Sequence, residues 1–458
     1  MVAVDQSPAN LTVKFISETV VRATNHSKNP MSIFPISNLD RIMGGIPIII
    51  FYVYNKPLSG HFSSVLNAVK LPLSQALDHF PLFAGEISQD SSGEPEVLCN
   101  NKGVRLIEAS TNISLFKLDF YEQNNSIQKI ILKFDNKYPL SVQITSYTCG
   151  GFSISWCFDH LLADASGFIK FLSVWCEIAQ TKKLLPSMEF NNERHFLRPR
   201  TPLMCSERID RIFTVCNTGD AFKMPEGCAT ERHLYLVKSS TLEKLKQEAS
   251  SKYGPNRTRT EALSAYLWKM MARTFDKYCK YTRCKMGWAV DGRKWMTDEE
   301  SISILNFTGN VCSMAVGNAA IEELIEKSLA HIASTVSNAI NEVANREHFL
   351  DLIDWIECHR TEKIVPKLML SDCSPAILVS SCCNMPVMGM DFGFGLPALG
   401  MFCSALDRLS AGYVNIVSSG RDDNSWFVSA FIWPELAREL ELDANHVFEP
   451  ISVGYVGV

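Results

Sequence analysis

The sequence contains no long apolar segment and no excess of positive charge. Its 458 residues include 44 lysine and arginine residues against 49 acidic residues, which gives a net charge of −5. This balance argues against a nucleic-acid partner, because such a partner usually requires a basic face. A membrane-spanning helix needs about 18 consecutive apolar residues. The longest apolar run, at 46–54, is about half that length and predicts a buried strand instead.

Targeting signals and cysteine patterns are also missing. The N-terminus has no basic segment followed by an apolar one, so we expect no signal peptide. The fifteen cysteines include no C-x-x-C pair, and they predict neither a disulfide framework nor a zinc site. Most should be small buried residues in a reducing compartment. The sequence therefore predicts a cytoplasmic protein with no membrane span and no metal.

The length and the pattern of elements predict an α/β protein with more than one domain. A chain of 458 residues is too long for one ordinary core. Strands and helices alternate without a short internal repeat, and the periodicity fades in the Pro- and Gly-containing stretch before residue 233. We therefore predict an N-terminal domain at 1–180, a crossover loop at 181–232 and a C-terminal domain at 233–458.

The stretch around residue 160 changes from strand to helix periodicity. Residues 139–158 predict two strands joined by a Gly-Gly turn. After Asp164 the apolar spacing changes to that of one helix face. In the second half, Thr258 and Glu261 predict a capping box at a helix start. The apolar spacing over 321–343 predicts a single helix there.

His160 lies at the predicted strand end, four residues before Asp164. Imidazole titrates near neutrality, so a histidine in a cleft can take a proton from an attacking hydroxyl or amine. Alternation along an extended backbone places Asp159 on the side opposite His160, away from any cleft that His160 faces. The pair alone leaves two interpretations open: a base with its orienting partner, or a structural histidine beside a helix-capping aspartate.

An ordered set of motifs resembles the plant BAHD acyl-CoA-dependent acyltransferases. The family's H-x-x-x-D motif matches HLLAD at 160–164, and its D-F-G-W-G motif matches DFGFG at 391–395. Four further stretches match in the same order, at 69–87, 258–269, 289–295 and 306–310. A lone H-x-x-x-D motif is a weak signal, whereas this ordered set, from about residue 10 to residue 435, is specific.

The resemblance implies two chloramphenicol-acetyltransferase-like domains with a solvent channel at their interface. Acyl-CoA, a co-substrate rather than a bound cofactor, would enter from one face and the acceptor from the other. His160 would act as general base in a ternary complex, without an acyl-enzyme or a metal. The expected acceptor is a hydroxyl of a plant specialised metabolite, with an amine as the second choice. The expected oligomeric state is a monomer.

The resemblance also assigns roles to the other candidate site residues. The catalytic candidates are His160, Asp164 and Asp391. In the family the motif aspartate pairs with an arginine, here Arg293, which implies that Asp164 holds the His160 loop. Asp391 has two interpretations. It is a second acid or base, or it belongs to a DFGFG segment that shapes a loop through Gly393, Phe394 and Gly395.

Several positions depart from the family pattern. Ser380 and Cys382 stand where the family has Thr-Ser-Trp beside the oxyanion, so Ser380 keeps a hydroxyl donor, whereas Cys382 lacks the indole N–H. Asp159 and Phe394 replace a histidine and a tryptophan. A non-catalytic homologue that binds acyl-CoA or a metabolite therefore stays open as an alternative. A condensation domain acting on carrier-bound thioesters is disfavoured, because no carrier domain accompanies the chain.

Overall fold

The computed structural model describes most of the chain, in eleven stretches. These are residues 11–25, 32–58, 62–185, 188–215, 230–250, 255–278, 281–297, 302–370, 374–403, 411–421 and 423–458. The strands are β1 (Val13–Val21), β2 (Ile33–Phe34), β3 (Pro47–Tyr54), β4 (Glu86–Gln89), β5 (Pro95–Leu98), β6 (Val104–Thr111), β7 (Leu140–Ser146), β8 (Phe152–Asp159), β9 (Phe213–Val215), β10 (Glu231–Val237), β11 (Arg283–Asp291), β12 (Cys312–Ala320), β13 (Ile364–Pro366), β14 (Ala376–Ser381), β15 (Leu399–Phe402), β16 (Gly412–Ser418), β17 (Trp426–Ile432) and β18 (Glu449–Pro450).

Helices alternate with these strands along the chain. They are α1 (Asn38–Arg41), α2 (Phe62–Ala76), α3 (Ile127–Ile130), α4 (Ala165–Thr181), α5 (Ser239–Ala249), α6 (Arg259–Tyr278), α7 (Arg293–Met296), α8 (Ile321–Glu326), α9 (Leu329–Val343), α10 (Arg346–Cys358), α11 (Pro434–Glu441) and α12 (Val453–Val456). Short 3₁₀ helices lie at Pro81–Ala84, Leu115–Lys117, His195–Leu197, Ile209–Arg211, Ile302–Asn306, Lys367–Met369 and Val387–Gly389. Within the described residues, no helix combines the length and the apolar character needed to cross a bilayer.

Two large mixed sheets organise the fold. The first has the strand order β1-β6-β7-β8-β3-β15, and the second has the order β12-β11-β14-β16-β17-β10-β18. There are also two smaller sheets. One pairs β13 with β9, and the other has the strand order β2-β5-β4. The predicted α/β class is confirmed.

The elements that carry the motif follow the sequence pattern closely. β7 and β8 pair antiparallel, and β3 pairs antiparallel with the other edge of β8. Every residue of β8 is buried, so both faces of this strand lie inside the protein. The predicted apolar face of α4 is buried as well, at Phe168, Phe171, Leu172 and Trp175. Fully burying such a side chain contributes about 1.5–3 kcal/mol, which gives the segment around residue 160 firm support on both sides.

One prediction about local structure needs correction, and one feature of the cysteines was not predicted. The predicted single helix over 321–343 is broken into α8 and α9, because Lys327 adopts an extended conformation and the Ser328 side chain accepts a hydrogen bond from the N–H of His331, capping α9. The cysteines were predicted to form no disulfide framework, and the single pair Cys205–Cys358 found among the described residues, which joins the crossover region to α10, was not anticipated. Sequence spacing could not reveal this pair, because 153 positions separate the two cysteines.

The two halves of the chain share secondary structure and core. β15, from the second half, is the edge strand of the first sheet and pairs with β3. One apolar cluster joins first-half residues to Leu234, Leu236, Val417 and Phe427 of the second sheet. Helices such as α6 and α9 pack with residues of that sheet in a second cluster. The second sheet therefore contacts the first half of the chain through one of its faces. The predicted domain boundaries stay a prediction, with β15 crossing them.

Candidate active site

His160 lies in the turn between β8 and α4. Its backbone N–H donates to the carbonyl of Ile46 at 2.9 Å, which ties the turn to the start of β3. Asp164 ends the turn as the N-cap of α4 and accepts a hydrogen bond from the N–H of Gly167 at 2.9 Å. A strand and a long helix, both buried, therefore fix the backbone on either side of His160.

Asp164 forms a buried two-point ion pair with Arg293. The two Nη atoms of Arg293 donate to the two carboxylate oxygens of Asp164, at 2.8 and 2.9 Å. Arg293 also donates to the carbonyls of Phe307 and Gly309, and Asp164 accepts from the N–H of Val311. Burial opposes ionisation of Asp164, but the charge and hydrogen bonds of Arg293 outweigh it and lower the pKa of the carboxyl. The pairing predicted for these residues is present, and Asp164 is directed at Arg293 rather than at the ring of His160.

Asp159 is buried and bonded to the backbone. Its carboxylate accepts hydrogen bonds from the N–H of Gly45 at 3.1 Å and from the N–H of Leu161 at 2.9 Å. Burial raises the pKa of this carboxyl, against the lowering effect of these hydrogen bonds. The carboxylate thus braces the turn from the side of Gly45, in agreement with the predicted placement away from the side that His160 faces.

The ring of His160 contacts Asn310, a residue to which the sequence assigned no role. His160 Nδ1 and Asn310 Oδ1 are 2.9 Å apart, and Asn310 Nδ2 donates to the carbonyl of His160 at 2.9 Å. His160 is partly exposed, whereas Asn310 is fully buried. Within the described part of the chain, Nε2 of His160 has no hydrogen-bond partner, so this nitrogen is available to a substrate. Asn310 is the last residue of the NFTGN stretch at 306–310. The motif match had aligned this stretch with the family but had assigned it no function.

Asp391 lies far from His160, at the other end of β8 and α4. Its backbone carbonyl accepts a hydrogen bond from the side chain of Gln180, near the end of α4. The start of α4, next to the His160 turn, is about 22 Å away from Gln180 along the helix, at a rise of 1.5 Å per residue. The ring of Phe394 stacks edge-on to Phe152 at 5.0 Å, and β8 rises about 26 Å from Phe152 to His160. A carboxylate at this end cannot exchange a proton with a group bound at His160. The catalytic candidacy of Asp391 is therefore not supported.

Asp391 instead shapes its own loop. Its Oδ1 accepts hydrogen bonds from the N–H groups of Gly393 and Gly395, at 2.7 and 2.9 Å. Both glycines have positive φ, +97° and +107°, a conformation that other L-residues resist. Phe394 anchors the loop against Tyr54 and Phe152. The geometry agrees with the loop-shaping interpretation of DFGFG.

Ser380 and Cys382 lie on β14 and directly after it, in the second sheet. The Ser380 hydroxyl and the Cys382 thiol form a polar cluster with Tyr413 and Asn415 of β16, the parallel neighbour of β14. In this cluster Asn415 Nδ2 lies 3.7 Å from Cys382 Sγ. Burial raises the pKa of the Cys382 thiol to about 11, so the thiol is neutral near pH 7. The charges of Asp164 and Asp291 raise the pKa of this thiol in the same direction, with a smaller effect than burial. Ser380 is partly exposed and Cys382 is buried.

Comparison with known proteins agrees with the motifs and the fold. A profile of the transferase family matches residues 11–444, nearly the whole chain. The chain belongs to this family, the BAHD acyltransferases. The omega-hydroxypalmitate O-feruloyl transferase of Arabidopsis thaliana is 25% identical over 408 residues, which cover 84% of this chain and 85% of the relative. The anthranilate N-benzoyltransferase protein 1 of Dianthus caryophyllus is 24% identical and covers 84% of this chain and 89% of its own length.

Solved structures of BAHD-type proteins share the fold. The vinorine synthase structure, a protein known from Rauvolfia serpentina, superposes with a TM-score of 0.70 at 18% identity, covering 96% of this chain and 99% of that one. TRI101 of F. graminearum, complexed with coenzyme A and deoxynivalenol, superposes with a TM-score of 0.76 at 15% identity, covering 91% of this chain and 99% of that one. The two-domain fold expected from the motifs is confirmed. The named relatives are acyltransferases, which favours catalysis over the non-catalytic alternative.

Proposed function

We propose that this acyltransferase moves an acyl group from an acyl-CoA thioester to a hydroxyl of a plant metabolite, with His160 as general base. The observation that carries the proposal is the partly exposed ring of His160, held through Nδ1 by Asn310 and leaving Nε2 without a partner in the described residues. The buried Asp164–Arg293 pair supports the turn beneath it. Coenzyme A in the TRI101 complex supports an acyl-CoA donor.

The reaction follows from this geometry in two steps. Nε2 of His160 removes the proton from the acceptor hydroxyl as its oxygen attacks the thioester carbonyl, which forms a tetrahedral oxyanion. Collapse of the oxyanion breaks the carbon–sulfur bond, and the imidazolium returns its proton to the departing CoA thiolate. Ser380, partly exposed and within the polar cluster on β14 and β16, is our candidate donor to the oxyanion. The buried neutral thiol of Cys382 shapes the wall of this region.

A hydroxyl acceptor is proposed ahead of an amine. The relatives include both an O-feruloyl and an N-benzoyl transferase, so the family fold accommodates either acceptor. The channel between the halves, the cytoplasmic location and the monomeric state belong to the proposal as well. The channel and the monomeric state rest on the family resemblance, and the location rests on the sequence alone.

A donor-by-acceptor screen tests the proposal. Acetyl-CoA, benzoyl-CoA, p-coumaroyl-CoA and feruloyl-CoA are combined with long-chain alcohols, phenolic alcohols, agmatine and anthranilate, and both released CoA and acylated product are measured. We expect at least one donor–alcohol pair to give an ester, and His160→Ala to reduce its kcat by about 10²–10⁴-fold. The exposed His331 provides a matched control, since His331→Ala should leave kcat unchanged.

The outcomes separate the competing functions. If only amide products form, the proposed acceptor is an amine and not a hydroxyl. Equal thioester loss in the wild type and in His160→Ala would contradict catalysis by His160 and favour a protein that binds acyl-CoA without transferring its acyl group.

A further inference from the structure

Behind His160, a buried chain of polar contacts runs away from the substrate side. Asn310 donates to the same oxygen of Asp40 twice, through its backbone N–H and through Nδ2, each at 2.8 Å. The other oxygen of Asp40 accepts from Nε of Arg194 at 3.1 Å and from the N–H and hydroxyl of Ser37. The side chains of Asp40 and Arg194 are 0% and 5% exposed, so this chain of contacts is shielded from water.

The Asp40 carboxylate fixes the orientation of the Asn310 amide. A carboxylate surrounded by five donor groups is an acceptor only, so the amide nitrogen of Asn310 must face it. The amide oxygen then faces Nδ1 of His160 at 2.9 Å. An amide oxygen can only accept, and therefore the proton of a neutral His160 ring must reside on Nδ1.

We infer that Asp40 and Arg194 are positioning residues that act through Asn310 to hold His160 as the Nδ1–H tautomer, with the lone pair on Nε2. This inference rests on the proposed function of His160. The same Nδ1–H bond persists when Nε2 gains the proton of the acceptor, so the ring needs no reorientation during the reaction. Nδ2 of Asn310 also donates to the carbonyl of His160, so Asp40 and this carbonyl together hold the amide. Without the carboxylate, the amide can turn over at the expense of the bond to the carbonyl and offer its NH₂ group to Nδ1, which moves the ring proton to Nε2 and blocks the base.

Arg194 adds a second restraint to this chain of contacts. Besides Asp40, it donates to the carbonyl of Asn192 at 2.8 Å and lies over the rings of Phe34 and Phe307, with its guanidinium carbon 4.5 and 5.1 Å from their centroids. Its charge compensates the buried carboxylate of Asp40. Without this partner the buried carboxylate would carry an uncompensated charge, which would weaken the support that it gives to Asn310.

The first test reads the tautomer in the wild-type protein and uses a variant only to assign the signal. With ¹⁵N-labelled histidine, long-range ¹H–¹⁵N correlations distinguish the two neutral tautomers, and His160→Gln assigns the signal. We expect the neutral wild-type ring to carry its proton on Nδ1. A ring that carries it on Nε2 overturns the inference, whatever any variant does.

The second test uses Asp40→Asn. The new amide can donate to Oδ1 of Asn310, which turns that side chain over, so we expect the Nε2–H tautomer and a fall in kcat of about a hundredfold or more, with KM little changed. The double variant Asp40→Asn/Asn310→Asp restores an acceptor for Nδ1–H, and it should regain the tautomer and at least about tenfold in kcat. Activity is measured with the donor–acceptor pair that gives the highest rate in the screen.

Asp354→Asn is the matched control. Asp354 is also fully buried and paired with an arginine, Arg200, at 2.6 Å, but its contacts lie on α10 and the crossover region. This variant should lower stability without changing the tautomer of His160. A folded Asp40→Asn protein with the Nδ1–H tautomer and wild-type kcat would overturn the inference and leave the role of His160 intact. Wild-type activity in His160→Ala would instead overturn the proposed function itself.

Discussion

Arg293 is the residue whose loss should damage the site region most. Its side chain is 4% exposed and is bound to Asp164, to Asp291 and to two backbone carbonyls. Removing one partner of a buried pair leaves an uncompensated charge, which typically costs about 3–5 kcal/mol. We therefore expect Arg293→Met to lower the free energy of unfolding by about that amount in urea denaturation.

Arg105→Met serves as the control for Arg293. Arg105 pairs with Glu18 and Asp135 at the surface, where the loss should be about 1 kcal/mol or less. The double variant Asp164→Asn/Arg293→Met should lose less stability than the sum of its single variants, because the buried charge of Asp164 is removed together with its partner and only the more exposed Asp291 loses a contact. Additive losses would show that the two residues do not act as a pair.

His348 makes the stability of the protein sensitive to pH. It is buried, its Nε2 lies 2.7 Å from the hydroxyl of Ser313, and burial lowers its pKa from 6.5 to about 4. The unfolded chain therefore binds a proton at a higher pH than the folded chain. The stabilising contribution is complete above pH 6.5 and is lost as the pH falls toward 4. Between pH 7 and pH 5 this loss is about 2 kcal/mol.

Urea unfolding at pH 7 and at pH 5 measures this contribution. The drop in the free energy of unfolding should be smaller by about 2 kcal/mol in His348→Gln than in the wild type. His331→Gln, at an exposed site, should reproduce the wild-type drop. The same pH dependence in wild type and His348→Gln would mean that this imidazole does not titrate differently on folding.

Among the structural elements, the DFGFG loop has a shape that its own residues impose. Asp391→Asn keeps an oxygen acceptor for the N–H groups of Gly393 and Gly395, so we expect kcat to stay within about threefold of wild type. Gly393→Ala places a side chain at φ +97° and should cost about 1–3 kcal/mol in stability. Denaturation curves and steady-state rates measure both effects. A loss in Asp391→Asn as large as in His160→Ala would restore Asp391 as an acid or base.

At the scale of the whole molecule, β15 couples the two halves because it is a second-half strand in the first sheet. In addition, Leu234 and Phe427 pack in the first apolar cluster. We expect the halves to unfold together. Hydrogen exchange measured by mass spectrometry should then give the same free energy of opening for β8 in the first sheet and β16 in the second. Two distinct values separated by several kcal/mol would show that each half unfolds independently.

Local elements were predictable where the apolar pattern and the caps agreed. The strands around the Gly-Gly turn, the helix after Asp164 and the Thr258–Glu261 capping box are present because each depends on neighbours within a few residues. The single helix over 321–343 was wrong, because the apolar spacing continues across Ser328 while that side chain caps a new helix. Periodicity detects a buried face, but it does not detect a local cap that interrupts the helix.

The sequence by itself determined the family, the α/β class and the histidine at a strand end, since motifs and alternation are local properties of the chain. It also indicated the partnership of Asp164 with Arg293 through the motif match. Only the tertiary structure decided which residue bonds the ring of His160, because Asn310 lies 150 positions after His160 and Asp40 lies 270 positions before Asn310. It likewise decided that Asp391 is remote from His160. Contacts of this kind depend on how the strands are ordered in the sheets, and no short stretch of sequence encodes that order.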